Sequence, residues 1–194
     1  MPPTRAACYV YFAHAGLSPA ELSAARLDGH LVELGEGYIP ADAVETPALR
    51  AASLTPILGD LLAATHSSAA WVHGALDAPP RRHTVQRAVD HRIGHVVGRG
   101  VVYRDGRLPE HDIVRIGGMA VSSPSRTLAD LARQRVVGAD LDDERQLDRA
   151  IARLGSRTRV VRGAIVRLAV QDGPPGKPAA LDLLRRLERS ATRW

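Results

Sequence analysis

Hydrophobic and polar positions divide the chain into stretches with different periods. Over residues 17–29 the period is helical. Ser18 and Glu21 form an S-x-x-E capping box, Pro19 takes the first helical position, and Gly29 can close the end. Leu17 and Leu22 stand where a hydrophobic staple packs. Leu31-Val32-Glu33-Leu34 and Tyr38-Ile39-Pro40 then flank Gly35-Glu36-Gly37, which predicts a hairpin. Helix followed by hairpin is the back half of a winged helix-turn-helix, and equally a local motif with no DNA role.

Residues 47–64 are rich in Ala and Leu and read as a short helix that Pro56 breaks or restarts. A helix is predicted over 66–76, with Ser67 as its cap, ended by Asp77-Ala78-Pro79-Pro80. From His83 to Ser122 the pattern changes to short β-rich runs: Thr84–Val89, His95–Val97, Val101–Arg104, Asp112–Ile116 and Met119–Val121. Gly94, Gly98, Gly100, Asp105-Gly106 and Gly117-Gly118 punctuate them, as in an antiparallel sheet. Beyond Ser123, a hydroxyl cap followed by Pro124, the chain is helical. Leu128 and Leu131 mark one apolar face, and Leu147, Ala150, Ile151 and Leu154 mark the next, opposite the basic stripe Arg145, Arg149, Arg153. Val160, Val161, Ala164, Ile165 and Leu168 follow, then a Gly-Pro loop, then Leu181, Leu184 and Leu187. Trp71, Leu76, Leu128 and Leu131 are the predicted centre of the core, because a large ring among small residues fills a shared void.

Composition narrows the class. A chain of 194 residues with 45% hydrophobic and 24% charged residues can bury a substantial core. No window reaches the roughly 18 apolar residues of a membrane helix. The run after Arg5 is too short for a signal peptide, so a cytoplasmic protein is expected. The single Cys8 excludes an internal disulfide and a multi-cysteine zinc site. The net charge of +5 is uneven: residues 1–46 carry −4 and the remainder +9. Seven arginines between 81 and 107 (Arg81, Arg82, Arg87, Arg92, Arg99, Arg104, Arg107) face only Asp90 and Asp105. Charged residues of this kind protect exposed strands, and they also suit a nucleic-acid backbone.

Catalytic chemistry is not predicted. His91 and His95 have helical ligand spacing, but Gly94 and β-like surroundings argue against a helix, and no acid lies between them. Ser67, His73 and Asp77 offer a triad inventory that Ser67, as a cap, does not serve; His66 and His73 are expected to flank Trp71. Gly98-Arg99-Gly100 and Gly117-Gly118 are turns rather than phosphate loops. Arg126 and Asp130, four apart, are expected to pair, in the order less favoured by the helix dipole.

The order of Leu27-Asp28-Gly29, the wing Leu34–Pro40, Ser68-Ala69-Ala70-Trp71-Val72-His73-Gly74, Val102-Tyr103-Arg104 and Ser123-Pro124-Ser125-Arg126-Thr127-Leu128-Ala129-Asp130-Leu131 resembles the AbiEi-like antitoxins of bacterial type IV toxin–antitoxin pairs, from about Leu17 to Ala132. The resemblance implies an N-terminal winged helix-turn-helix that binds double-stranded DNA, the operator of its own operon. It also implies a C-terminal antitoxin domain and a genetically paired nucleotidyltransferase-like toxin, with no catalysis, cofactor, metal or membrane. Only 17 residues precede Ser18, so the winged part is expected to be truncated or rearranged. Lys177, the one lysine, lies in a Gly-Pro loop, unlike the lysine of the nuclease-like domain that ends some related chains. The fold expected is α+β: a truncated winged helix-turn-helix N-terminus over residues 1–46, then an antiparallel-sheet-plus-helices domain over 47–194. DNA contacts are assigned to Arg26, Arg81, Arg82, Arg87, Arg92 and Arg99. The alternative is a protein-interaction module whose vestigial winged helix no longer binds DNA.

Overall fold

A computed structural model describes residues 9–13, 15–94, 100–138, 144–171, 173 and 175–191. The architecture is α+β, and the chain divides into two compact units. The first comprises residues 1–63 and 85–121, the second residues 64–84 and 122–194.

The first unit opens with α1 (Pro19–Leu27), capped by Ser18 with Pro19 in its first turn, and with Gly29 in the left-handed region beyond its end. β1 (Leu31–Leu34) and β2 (Gly37–Pro40) form the predicted antiparallel hairpin, Leu34 facing Gly37 across the turn. Tyr11 bridges to Tyr38 through two backbone bonds of 2.8 and 2.9 Å, adding a third extended segment to the hairpin. A Cβ on Gly37 would lie 2.7 Å from Val10 Cγ1 and 2.9 Å from the Tyr11 carbonyl, so only glycine admits that segment.

α2 (Pro47–Ser53) is restarted as α3 (Thr55–Leu58) at Pro56, as its sequence predicts. The remainder of that expected helix is a strand, β3 (Leu62–Ala64). Completely buried, those three residues answer to the sheet rather than to alanine's helix propensity. β4 (His83–Arg87), β5 (Val101–Arg107), β6 (Ile113–Ile116) and β7 (Met119–Ser122) complete a sheet in the order β5-β4-β3-β7-β6. Thr65 N donates to Thr84 O and Ala88 N to Leu61 O, so β3 and β4 are antiparallel.

At the other side of β4, Leu108 N donates to Arg87 O, and Gly106 lies against the Gln86 side chain. The ends of β4 and β5 therefore meet like to like, and this pair runs in one direction. The sheet is mixed where a wholly antiparallel one was expected. Asp105-Gly106, expected as a turn, continues β5, and a Cβ at Gly106 would stand 3.1 Å from Gln86 Nε2. The expected strand at His95–Val97 lies outside the described residues. Gly117 and Gly118 turn β6 into β7, and a Cβ on Gly117 would stand 2.2 Å from the Ala48 carbonyl oxygen of α2.

The second unit is built from α4 (His66–Val72), α5 (Pro124–Val137), α6 (Glu144–Gly155), α7 (Thr158–Val170) and α8 (Lys177–Ala191). All four predicted core residues, Trp71, Leu76, Leu128 and Leu131, are buried. The α6 stripe Leu147, Ala150, Ile151 and Leu154 is buried as its period requires, joined by Val161, Ala164, Leu168 and Leu184 of α7 and α8. α4 begins at His66 as expected, but its N-cap residue is Thr65, not Ser67, and it ends at Val72, short of the expected residue 76.

Candidate nucleic-acid interface

The helix–hairpin of the first unit is the segment that family resemblance assigns to DNA. Its capping box is closed: Glu21 N donates to Ser18 Oγ at 3.3 Å and Ser18 N to Glu21 Oε2 at 2.8 Å. Those bonds, the backbone one foremost, hold the Glu21 carboxyl below its ordinary pKa. Arg26 occupies the last turn of α1, its Nε 3.4 Å from Glu33 Oε1 on β1, with both side chains exposed. The guanidinium is thus drawn toward the hairpin by an exposed ion pair, a contact that phosphate can replace at small cost. Leu27, Val32, Tyr9 and Tyr11 are exposed on the same segment.

The central arginines do not fall into one group. Arg81 and Arg82 are exposed and belong to the second unit. Arg87 and Arg92 belong to the first, and Arg99 lies outside the described residues. Arg92 is exposed, whereas Arg87 is half-buried and its Nη1 donates to the Asp90 carbonyl at 3.0 Å. The Asp90 carboxylate takes Arg107 Nη1 at 2.8 Å, so one of the two acids in this stretch is already occupied.

The segments that carry the family resemblance form buried polar joints instead of a reactive site. Ser68 Oγ accepts from Thr84 N at 2.9 Å and stands 3.2 Å from His83 Nδ1. The His83 ring lies 6.1 Å from that of Trp71 at 48°. Desolvation pushes the His83 pKa down to about 4, so its ring is neutral at ordinary pH. His73 Nε2–H donates to the Ser122 carbonyl at 2.8 Å, which fixes its tautomer. Its pKa is lowered, first by burial and then by the charge of Arg157, against the opposing effect of the Ser122 bond. At the start of α5, Ser123 Oγ accepts from Arg126 N. Thr127 Oγ1 donates back to the Ser122 and Ser123 carbonyls, at 3.1 and 2.9 Å. The expected Arg126–Asp130 pair forms at 2.9 Å, with side chains only 10% and 2% exposed.

Ser67, His73 and Asp77 are not assembled as a triad. His73 is spent on Ser122, and Asp77 holds Arg153 Nη1 and Nη2 at 2.5 and 3.2 Å. Lys177 caps α7, its Nζ donating to the Ala169 and Gln171 carbonyls. Neither Ser68 nor His83 stands out in the sequence as part of a joint, and the ring that pairs with Trp71 is that of His83, fifteen residues beyond Ser68. The one available signal was a polar His83-Thr84 pair opening a strand that is otherwise apolar or amphipathic. Among the described residues no group of three or more His, Cys, Asp or Glu side chains could hold a metal ion. None of the described helices is long and apolar enough to cross a membrane.

The sequence profile of the AbiEi antitoxin C-terminal domain matches residues 61–170. That span runs from β3 to the end of α7 and takes in every buried polar joint described above. No curated protein matches the chain. Among solved structures, the crystal structure of the RV2827C protein from Mycobacterium tuberculosis matches at 20% identity. The match covers 86% of this chain and 70% of that one, with a TM-score of 0.35.

Proposed function

The chain belongs to the AbiEi antitoxin family, and from that premise we propose that it is a DNA-binding transcriptional regulator and antitoxin of a type IV toxin–antitoxin system. The domains of this family are regulatory and non-catalytic, and so is this chain. In the proposed reading it represses its own operon by binding the operator as double-stranded DNA, and it is genetically paired with a nucleotidyltransferase-like toxin. The observation that carries the reading is the family match over residues 61–170, preceded in the chain by the α1–hairpin segment. Arg26 is assigned to base edges, where a helix side chain reaches the groove. Arg81, Arg82, Arg87, Arg92 and Arg99 are assigned to phosphates, which supply affinity without sequence.

The test is a gel shift with the protein's own upstream DNA at several salt concentrations. Retardation that weakens with salt, and that Arg26→Ala makes less selective against random DNA, supports the regulator reading. Absence of any shift at low salt overturns it. One observation favours a second reading: Arg26 is engaged by Glu33, within a segment of net charge −4. On that reading residues 1–46 are a vestigial winged helix and the chain is a protein-interaction module. Failure to bind DNA together with toxin neutralisation by the same protein would select it.

A further inference from the structure

Charge is polarised along this chain, and so is its exposed apolar surface. Residues 1–46 carry −4, whereas the second unit holds 17 basic and 10 acidic residues, a net of +7. Among the described residues, five large apolar side chains are more than half exposed: Tyr9, Leu27, Val44, Val166 and Val170. Three of them stand in the acidic segment, and the other two, four residues apart, share one face of α7. On that helix Val161, Ala164 and Leu168 are buried, and the opposite face carries Arg159, Arg162, Val166 and Val170 to solvent. Glu188 of α8 holds Arg162 Nε at 2.9 Å in a partly exposed pair that another carboxylate can displace at small cost. The acidic segment has the opposite sign around its apolar groups. Leu27 ends α1 with the exposed Asp28 beside it, and Val44 lies between Asp42 and Glu45. A single exposed valine calls for no explanation, but five open side chains confined to two oppositely charged faces do.

We propose that the α7 face and the acidic face around Leu27 are the two halves of one interface, through which the chain joins head to tail with a second copy of itself. Charge decides the geometry. A two-fold contact sets each surface against its own copy, acid on acid or base on base, and like charges oppose it. A head-to-tail contact sets the −4 segment of one copy against the basic helical unit of the next. Opposite charges then meet while both apolar sets leave water. Each joined pair still has one unused face of each kind, so growth does not stop at two chains and leads to a ring or an open row. One short helix against one helix face is small for a specific interface, so the association is weak and depends on concentration. The inference is independent of the DNA-binding reading, because it concerns the free protein.

The experiment is sedimentation velocity on the whole chain, without nucleic acid, over a range of concentration at low and high salt. The wild type should grow in mass with concentration, past that of two chains, and salt should weaken the association because it screens exposed charges. Leu27→Arg spoils only the acidic face, and Val166→Glu/Val170→Glu only the α7 face. All three positions are exposed, and circular dichroism shows whether each variant folds. Each variant alone should stay a single chain at every concentration. Mixed in equal amounts, the two should form a complex of two chains and nothing larger, since each supplies the face that the other lacks. Misfolding cannot imitate that recovery. If Leu27→Arg alone still associates, α7 pairs with itself; if the α7 variant alone still associates, the acidic face pairs with itself. Either result overturns the head-to-tail contact, as does a mixture that forms no complex. Growth that salt leaves unchanged or strengthens overturns the matching of charges. A wild type that stays a single chain at every concentration overturns the proposal outright and leaves both faces to a different protein.

Discussion

α1 and α5 begin with the same local grammar and end in opposite circumstances. Each has a serine N-cap, a proline in its first turn, and a side-chain oxygen accepting the amide three residues on. In α1 only Leu22 is then buried. In α5 seven consecutive residues, Arg126 to Ala132, are buried, including an ion pair and a threonine that bonds back to the preceding turn. Caps therefore state where a helix starts and nothing about what it does. What separates the two is how far each can be changed: α1 leaves most of its surface open to a ligand, while in the first half of α5 only Pro124 and Ser125 are partly exposed.

The strongest way to break this contrast is to remove one charge from each helix's ion pair. Asp130→Ala leaves Arg126 buried without its counter-charge and should cost about 3–5 kcal/mol, measured by denaturant unfolding. Glu33→Ala, which removes the partner of Arg26, should leave the melting temperature unchanged. Equal responses would mean that α5 is not the more constrained helix. Trp71→Ala, in α4 packed beside α5, should also cost about 3–5 kcal/mol; an unchanged melting temperature would put that ring on a surface instead.

A smaller effect comes from His83. Folded, it stays neutral down to about pH 4, whereas an unfolded histidine takes up its proton near 6.5. The unfolded state binds more protons between those values, so stability is complete above that window and is lost as the pH falls through it. The loss should reach about 2 kcal/mol at pH 5, read from melts at pH 7 and pH 5. His83→Gln should remove most of the slope, leaving the share of His73, whose pKa is displaced in the same direction. The smallest expected effect sharpens the comparison at its origin. Ser123→Ala should cost roughly 1–2 kcal/mol and Ser18→Ala roughly 0.5–1 kcal/mol, because the buried amide of Arg126 has no water to turn to. If circular-dichroism melts rank the two the other way, exposure does not govern the cap energy here.

Much of this was legible in the sequence. The α6 stripe, the Ser18 box, the Ser123-Pro124 start and the Gly35–Gly37 hairpin all depend on neighbours within one or two turns, which the sequence displays directly. What was not legible depends on partners distant in the chain. Leu62–Ala64 carries no period to distinguish strand from helix, and its fate was decided by β4 and β7 on either side. Asp105-Gly106 has the composition of a turn, yet it stays extended because β5 pairs along β4 to its end. Ser68 and His83 meet only because β4 returns beside α4, fifteen residues later. The candidate DNA residues were readable as a charge excess, but not in their grouping. The pairing of Arg153 with Asp77 spans 76 residues and could not be inferred from either segment.

The way the chain is shared between its units has a practical consequence for dissection. Residues 64–84 leave the first unit and the chain returns to it at 85, to depart again after 121. Neither unit is a continuous stretch of sequence, so no single cut, whether by protease or by stop codon, releases one of them whole. A cleavage between 64 and 121 would strand part of each unit on the wrong fragment. Deletion mapping of activity along this gene should accordingly return abrupt loss at many positions instead of two separable functions. Grafting one unit onto another protein would instead require a circularly rearranged or two-piece design.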